Sequence, residues 1–445
     1  MKTLQDLFRN MYIEFHHKFL LLISILILSG SAVSAQNFSA DTLWISLDNA
    51  IEQALTNNEK LLSAKKQIEK SNYAIDEAKS IQYPQVDALF SYDYLDIVPG
   101  FRSELLGNLE HDLFPRVNIE QVIYAGGKID QSIKLKKELL HGKEFDLKEQ
   151  EQQIKFILSS YYFQLQSINN QIRILRNNKE QFQTQKKFTR LLIDAGKLSE
   201  LEMGRVDVEL AYIDANILKL ENDYSAVSHN IGLLMGEDTL STIIPTDSLH
   251  ITHLQLSSEE LIRMAIEMNP AIKNYESVIK QNEINTEIQK SSRMPQVSAS
   301  AYYGYEFGFE QFSFPRNDRY FIGLNAKFPL FNGGNISAKI KQAEVDITSA
   351  TYEMNYYVKQ LSQLIDQTNR KIQEISKQVD IQKKALQQLK DTYRLALLEY
   401  QAGRRSNTDL LDIQKNLLNA EVALNDLRIQ QIIKQTELKF YSGIL

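Results

Sequence analysis

Two short runs place a hydroxyl three residues ahead of a carboxylate: Ser199-Glu200-Leu201-Glu202 and Ser406-Asn407-Thr408-Asp409. This spacing is that of the capping box, in which hydroxyl and carboxylate satisfy free amides where a helix begins. It accounts for Ser199, Glu202, Ser406 and Asp409 as structure. Asp412 is left over, because it stands one turn beyond Asp409 on the same helical face, where no cap needs it. Other chemistry is thin. The 445 residues contain no cysteine, which removes disulfides, thiolate metal sites and cysteine nucleophiles. Of the seven histidines, only His250 and His253 approach a metal-ligand spacing, and they sit in a polar connecting segment that reads as solvated. Gly126-Gly127 and Gly333-Gly334 lack the lysine and serine of a phosphate loop. These residues support no enzyme, no cofactor and no metal site, and a net charge of −6 argues against nucleic acid as a partner.

The elements that carry these residues are mostly helical. Length alone suggests two or three domains, but 17 glycines and 8 prolines in 445 residues imply long, uninterrupted helices. The one apolar stretch, Phe19 to Leu28, spans ten residues, half of what a bilayer requires. Lys2, Arg9 and Lys18 precede it and Gly30-Ser31-Ala32-Val33-Ser34-Ala35 follows, so residues 1–35 read as a secretory signal peptide cut after Ala35. No cysteine follows the cut to carry a lipid, and the mature chain reads as exported. Trp44, the only tryptophan, reads as a packing anchor near the mature N-terminus.

An internal repeat organises the rest. Tyr83-Pro84-Gln85-Val86 matches Met294-Pro295-Gln296-Val297 at an offset of 211. Ile123-Tyr124-Ala125-Gly126-Gly127 then matches Leu330-Phe331-Asn332-Gly333-Gly334 at 207, an offset kept by Ala195-Gly196-Lys197 with Ala402-Gly403-Arg404 and by Gly236 with Gly443. The expected division is a first unit at 36–236, a linker at 237–257 and a second unit at 258–445. Each unit reads as a short helix (47–56, 259–268), a second helix ended by Pro84 or Pro295, and extended structure (about 85–124, 296–331). A very long helix (about 128–193, 335–400) and a return helix (about 199–234, 406–441) follow. The long helix would measure ~98 Å. Its apolar residues, such as Ile340, Ala343, Ile347, Ala350, Met354, Tyr357 and Leu361, form a narrow coiled-coil seam. A helix of that length with so narrow a stripe must pack side by side with others into a rod or tube.

The extended segments alternate with period two. Val297, Ala299, Ala301, Tyr303, Tyr305 and Phe307 alternate with Ser298, Ser300, Tyr302, Gly304 and Glu306, and Tyr320, Ile322, Leu324, Ala326 and Phe328 with Phe321, Gly323, Asn325 and Lys327. In the first unit Val86, Ala88, Phe90, Tyr92 and Tyr94 alternate with Asp87, Leu89, Ser91 and Asp93, so that Asp87 and Asp93 would line the polar face. A half-buried soluble sheet gives this pattern, and so does an outer-membrane barrel with apolar residues outward and aromatics at the interface. Four strands cannot close a barrel, and open edges are not tolerated in lipid, so a membrane barrel would have to be shared by two, three or four copies.

Taken together, the sequence resembles the TolC-like family of outer-membrane efflux and secretion ducts. The resemblance rests on the tandem repeat, Ser46-Leu47-Asp48-Asn49-Ala50-Ile51-Glu52-Gln53-Ala54-Leu55, the helix–proline–strand junctions, the Gly-Gly strand exits and Tyr400-Gln401-Ala402-Gly403-Arg404-Arg405-Ser406-Asn407-Thr408-Asp409-Leu410-Leu411-Asp412. It covers essentially the whole mature chain. It implies a mainly α fold with membrane β: helical hairpins forming a periplasmic α-barrel, and four strands per chain given to a shared twelve-stranded barrel in the outer membrane. It implies a homotrimer, an equatorial position for the linker, a periplasmic adaptor, and an inner-membrane transporter of RND, ABC or MFS type that supplies the energy. Asp409 and Asp412 would ring the pore constriction with six carboxylates that favour cations. Tyr400, Arg405 and Glu202 correspond to the latch at the tip, with Glu202 longer than the family carboxylate and Leu201 where a hydroxyl would donate. Gly196, Lys197, Leu198 and Ser199, with Gly403, Arg404 and Ser406, would be the loops where the adaptor docks. The competing expectation is a non-conducting periplasmic coiled-coil scaffold whose hairpins form soluble sheet.

Overall fold

The computed structural model describes residues 42–94, 111–237, 242–247, 256–309 and 316–445. The leader expected at 1–35 and the pair His250 and His253 lie outside the described residues. In chain order the first elements are β1 (Thr42–Ile45), α1 (Leu47–Asn57), α2 (Glu59–Ser80), β2 (Gln85–Tyr94), β3 (His111–Tyr124), α3 (Lys128–Asp194) and α4 (Glu200–Leu234). They are followed by β4 (Thr242–Pro245), α5 (Ser258–Met268), α6 (Pro270–Ser291), β5 (Gln296–Phe309), β6 (Arg316–Lys327), α7 (Asn335–Gln401) and α8 (Asn407–Tyr441). Helix boundaries agree with the sequence reading to within a residue or two. The second extended segment stops earlier, at Lys327 rather than about 331, since Pro329 has no amide to donate.

The starts and stops have local causes. The Asn58 side chain accepts from the Lys60 amide at 3.0 Å, capping α2, and its Nδ2 donates to the Leu234 carbonyl at 2.9 Å, where α4 ends. Asn269 caps α6 from the position before Pro270, and its Nδ2 donates to the Tyr441 carbonyl at 3.0 Å, where α8 ends. One asparagine in each half thus begins a helix and closes the end of another. A complete capping box forms between Ser257 and Glu260 at the start of α5.

The long helices α3 and α7 each run 67 residues, about 100 Å. On the sheet side of their midpoints α2 packs on α3, and α6 lies between α3 and α7; on the other side α4 packs on α3, and α8 lies between α3 and α7. The core is concentrated where these pieces meet. Ala50, Ala54, Leu61, Ile154, Leu158 and Ile231 form one cluster. Leu261, Ala265, Ile272, Leu361, Ile365 and Leu438 form the other. The second set stands 211 or 207 residues after the first, member by member.

A two-stranded parallel sheet completes this belt, with β1 paired to β4 from Thr42 opposite Thr242 to Ile45 opposite Pro245. The Tyr162 hydroxyl reaches the Ile45 carbonyl at 3.0 Å and Asp247 Oδ2 at 2.9 Å. Trp44 is not the packing anchor expected of it. It is 67% exposed, because Ile45, its neighbour on the opposite face of the strand, points into the core.

The other sheet has the order β2-β3-β5-β6, antiparallel throughout. The register runs from Gln85 opposite Glu120 to Tyr94 opposite His111 in the first hairpin, and from Gln296 opposite Lys327 to Phe307 opposite Arg316 in the second. Val86, Ile119, Ala301 and Ile322 are aligned across all four strands, as are Ala88, Val117, Tyr303 and Tyr320. These rows make one face apolar. The opposite face holds Asp87, Asn118, Tyr302 and Phe321 in one row and Leu89, Arg116, Gly304 and Arg319 in the next. The Arg116 guanidinium lies 4.9 Å over the Phe114 ring, and Arg319 pairs with Glu306 at 2.6 Å. Among the described residues the strands β2 and β6 each have one partner, which leaves both outer edges of the sheet open there.

Candidate pore tip and its hairpin turns

At the end of α3 and α7 away from the sheet, the chain turns through Gly196 and Gly403, with φ of +69° and +73°. The Lys197 amide donates back to the Leu192 carbonyl at 2.8 Å, and Arg404 to Glu399 at 2.8 Å. This is the left-handed helix stop that favours glycine. A Cβ at either position would meet nothing within 4 Å, so backbone conformation, not crowding, selects the residue. Lys197, Ser199, Arg404 and Ser406 are exposed beside these turns. Leu198 is half-buried, packed with Phe188, Leu192, Tyr393 and Leu397 against Ala396, Tyr400 and Leu410.

The two serines behave differently. The Asp409 amide donates to Ser406 Oγ at 3.1 Å, so Ser406 caps α8, although the reciprocal bond from the carboxylate is not made. Ser199 occupies the cap position of α4 with no side-chain cap bond. The capping box expected there does not form, because the Glu202 carboxylate faces α8, accepting from Asn407 Nδ2 at 3.0 Å.

Tyr400 is 2% exposed. Its hydroxyl lies 2.9 Å from Thr189 Oγ1 and its ring packs edge-on to Phe188. Burial raises the phenol above the usual tyrosine range; the Thr189 bond draws it partly back, and the Glu202 charge adds to the rise. Arg405 lies elsewhere: its guanidinium pairs with Glu399 at 2.7 Å, on its own hairpin. The structure therefore brings Tyr400 and Glu202 into one neighbourhood and leaves Arg405 outside their hydrogen bonds.

Asp409 and Asp412 are both exposed on α8, one turn apart. Asp412 lines a groove of about 530 Å³ between the starts of α4 and α8, floored by Leu201, Gly204, Val208 and Leu411. Lys415 crosses it to Glu209 at 2.8 Å, and the Glu209 hydrogen bond and charge, with Asp412 beyond, hold the ammonium above the usual lysine range. Arg205 donates across the same gap to Thr408 at 2.8 Å.

Sequence reasoning missed the buried polar residues that join the hairpins. Asn407 is 1% exposed and takes a hydrogen bond from Gln185 Nε2 at 2.8 Å while donating to Glu202. Gln185 and Thr189 follow Phe182 at three- and four-residue steps, in phase with the apolar stripe of α3. A polar residue in that phase was the available signal. Among the described residues no group of three or more acids and histidines is placed to hold a metal ion.

A four-stranded sheet with one apolar face, carried on a mostly helical chain, can be compared with known proteins. The family model described as outer membrane efflux protein matches residues 50–237 and 261–443. The chain belongs to the outer membrane efflux protein family. Its members are channels, and this chain is an outer-membrane efflux channel, not an enzyme. It is 20% identical over 428 residues to the outer membrane protein TolC of Vibrio cholerae, covering 94% of this chain and 92% of that one. The solved outer-membrane channel CmeC of Campylobacter jejuni superposes with a TM-score of 0.76 at 18% identity, covering 89% of this chain and 85% of CmeC. The outer-membrane channel OprN gives 0.75 at 19%, covering 89% of each. The family leaves the non-conducting scaffold without support.

Proposed function

We propose that three copies of this chain assemble into one duct, with twelve strands closing a barrel in the outer membrane and the helices continuing it as a periplasmic tube. The observation that carries this reading is the sheet: one apolar face, one polar face and two open edges on the same four strands. A barrel is the arrangement that satisfies those edges in lipid, and four strands are too few to close one alone. The element series in the two halves fits two copies of one unit within the chain, joined by 237–257. The basic, apolar and small-residue run of 1–35 supports a cleaved leader ahead of them.

The duct works passively. A periplasmic adaptor docks at the exposed turns around Gly196, Lys197, Ser199, Gly403, Arg404 and Ser406, with Leu198 holding its turn from below. An inner-membrane transporter of RND, ABC or MFS type drives substrate into the tube, for small-molecule efflux or type I secretion. Asp409 and Asp412 line the narrow tip and favour cations, while Tyr400, Glu202 and the side chains they meet hold the hairpins together.

Conductance tests the reading. The detergent-purified protein is placed in a planar bilayer beside Asp409→Ala/Asp412→Ala. Wild type conducts cations preferentially and the double variant loses that preference. Unchanged selectivity in the variant would return the two carboxylates to a structural role, and a folded protein that never conducts, even with Tyr400→Phe, would sink the duct.

A further inference from the structure

The offset of 207 sets the first turns of α4 against those of α8. Glu202 corresponds to Asp409 and Arg205 to Asp412, so both halves carry charge at these two positions. Two further charges have no charged counterpart: Glu209 corresponds to Asn416, and Lys415 to Val208. Those two meet. Lys415 Nζ lies 2.8 Å from Glu209 Oε1, across the groove of about 530 Å³ that Asp412 also lines. Lys415 and Asp412 are three residues apart on α8, a spacing that puts both on one helical face. The ammonium therefore sits between two carboxylates, one from each helical hairpin. We propose that Lys415 is a tethered cation within the acidic tip, held in place by Glu209, and that it sets how tightly the tip binds a mobile cation.

The other charges around this groove are accounted for. Arg205 donates to Thr408 at 2.8 Å and lies 3.9 Å from Glu202, whose carboxylate accepts from the buried Asn407 amide. Asp409 and Asp412 have no ion pair among the described residues. With Lys415 neutralising Glu209, these two are the carboxylates left to meet a cation. Without the lysine charge Glu209 would join them, giving three free carboxylates per chain in place of two. The Glu209 side chain is 17% exposed and shares the groove with Leu201, Val208 and Leu411, where water screens a charge less than on an open surface. The Glu209 hydrogen bond first, and then the charges of Glu209 and Asp412, hold the ammonium above the usual lysine range, so Lys415 is charged at neutral pH.

This rests on the reading above that Asp409 and Asp412 line the tip of a conducting duct, and the test separates the two. The purified protein is placed in a planar bilayer, spermidine (a small polyamine cation) is added to the bath, and the concentration that halves the current is read. Lys415→Met keeps the apolar stem without the charge, and is expected to be blocked at about tenfold lower spermidine in ~0.1 M salt, with the difference shrinking toward ~1 M. Glu209→Gln is expected to shift the other way and need more spermidine than wild type, because it leaves the ammonium without its counter-ion. The signs carry the test. Both variants break the same bridge between α4 and α8, so a bridge that only ties the helices together would move the block in one direction for both. Shifts of the same sign, or no shift in conducting proteins, overturn the role of Lys415. A block left unchanged by Asp409→Ala/Asp412→Ala overturns the acidic tip itself, and a folded protein that passes no current even with Tyr400→Phe overturns the duct and this proposal with it.

Discussion

The hydroxyls of Tyr400 and Thr189, 211 residues apart in the chain, stand 2.9 Å from each other. They join the last turns of the two longest helices. Tyr400→Phe removes that contact with little change of shape, at a cost of about 0.5–1.5 kcal/mol. If the contact restrains the tip, the variant conducts more often than wild type in a planar bilayer. Equal open probability in two conducting proteins would show that the restraint lies elsewhere.

Arg405 gives the contrasting expectation. Its ion pair with Glu399 is local to one hairpin turn, and exposed pairs of this kind contribute ~0–1 kcal/mol. Arg405→Ser should therefore leave both conductance and melting temperature near wild type. Glu202→Ala, which takes away the acceptor of the buried Asn407 amide, should lower the melting temperature by several degrees. Thermal melts of the two variants side by side decide the matter, and a larger effect from Arg405→Ser would refute the assignment.

Gln414 is fully buried on α8, and neither atom of its amide has a hydrogen-bond partner among the described residues. An amide in that state costs about 1–3 kcal/mol. Gln414→Met keeps the length of the side chain and removes the polar atoms, so the expected change is a higher melting temperature. A fall would mean that buried water satisfies the amide.

Burial first, then the hydrogen bond with Asp247, pushes the Tyr162 phenol up to about 12. The unfolded chain gives up that proton near 10. Below pH 10 both states hold it and the contribution of Tyr162 is complete; from 10 toward 12 the unfolded state releases it first, and stability falls as pH rises. The gap in stability between wild type and Tyr162→Phe should be about 1–3 kcal/mol at pH 7 and narrow above pH 10, as followed by circular dichroism. A gap that stays constant to pH 12 would contradict this.

Much of the architecture was legible because its signals are local and strong. Pro84, Pro295 and the glycine pairs punctuate helix and strand, and the period-two alternation placed Val86, Ala301 and Ile322 on the apolar sides of their strands before any register was known. The misses share a cause. Thr42–Ile45 and Thr242–Pro245 are four residues each and become strands only by meeting each other. Whether Trp44 or Ile45 faced the core depended on that meeting. Ser199 matches the capping pattern letter for letter, yet Glu202 was drawn to Asn407, a residue 205 positions away. Pattern shows what a side chain can do locally; where a distant partner competes, the outcome belongs to packing.

The small sheet of β1 and β4 also says something about when this chain can finish folding. As synthesis proceeds, β1 is among the first described segments to be made, and its mate among the described residues is encoded 200 residues later. Closing so long a span carries an entropic cost that four backbone pairs do little to offset before the rest is in place. Until then β1 presents a free strand edge with Trp44 on it, a surface that invites the wrong neighbour. The belt where the helices meet should thus be among the last regions to set, and a newly made chain most in need of protection from aggregation during that wait.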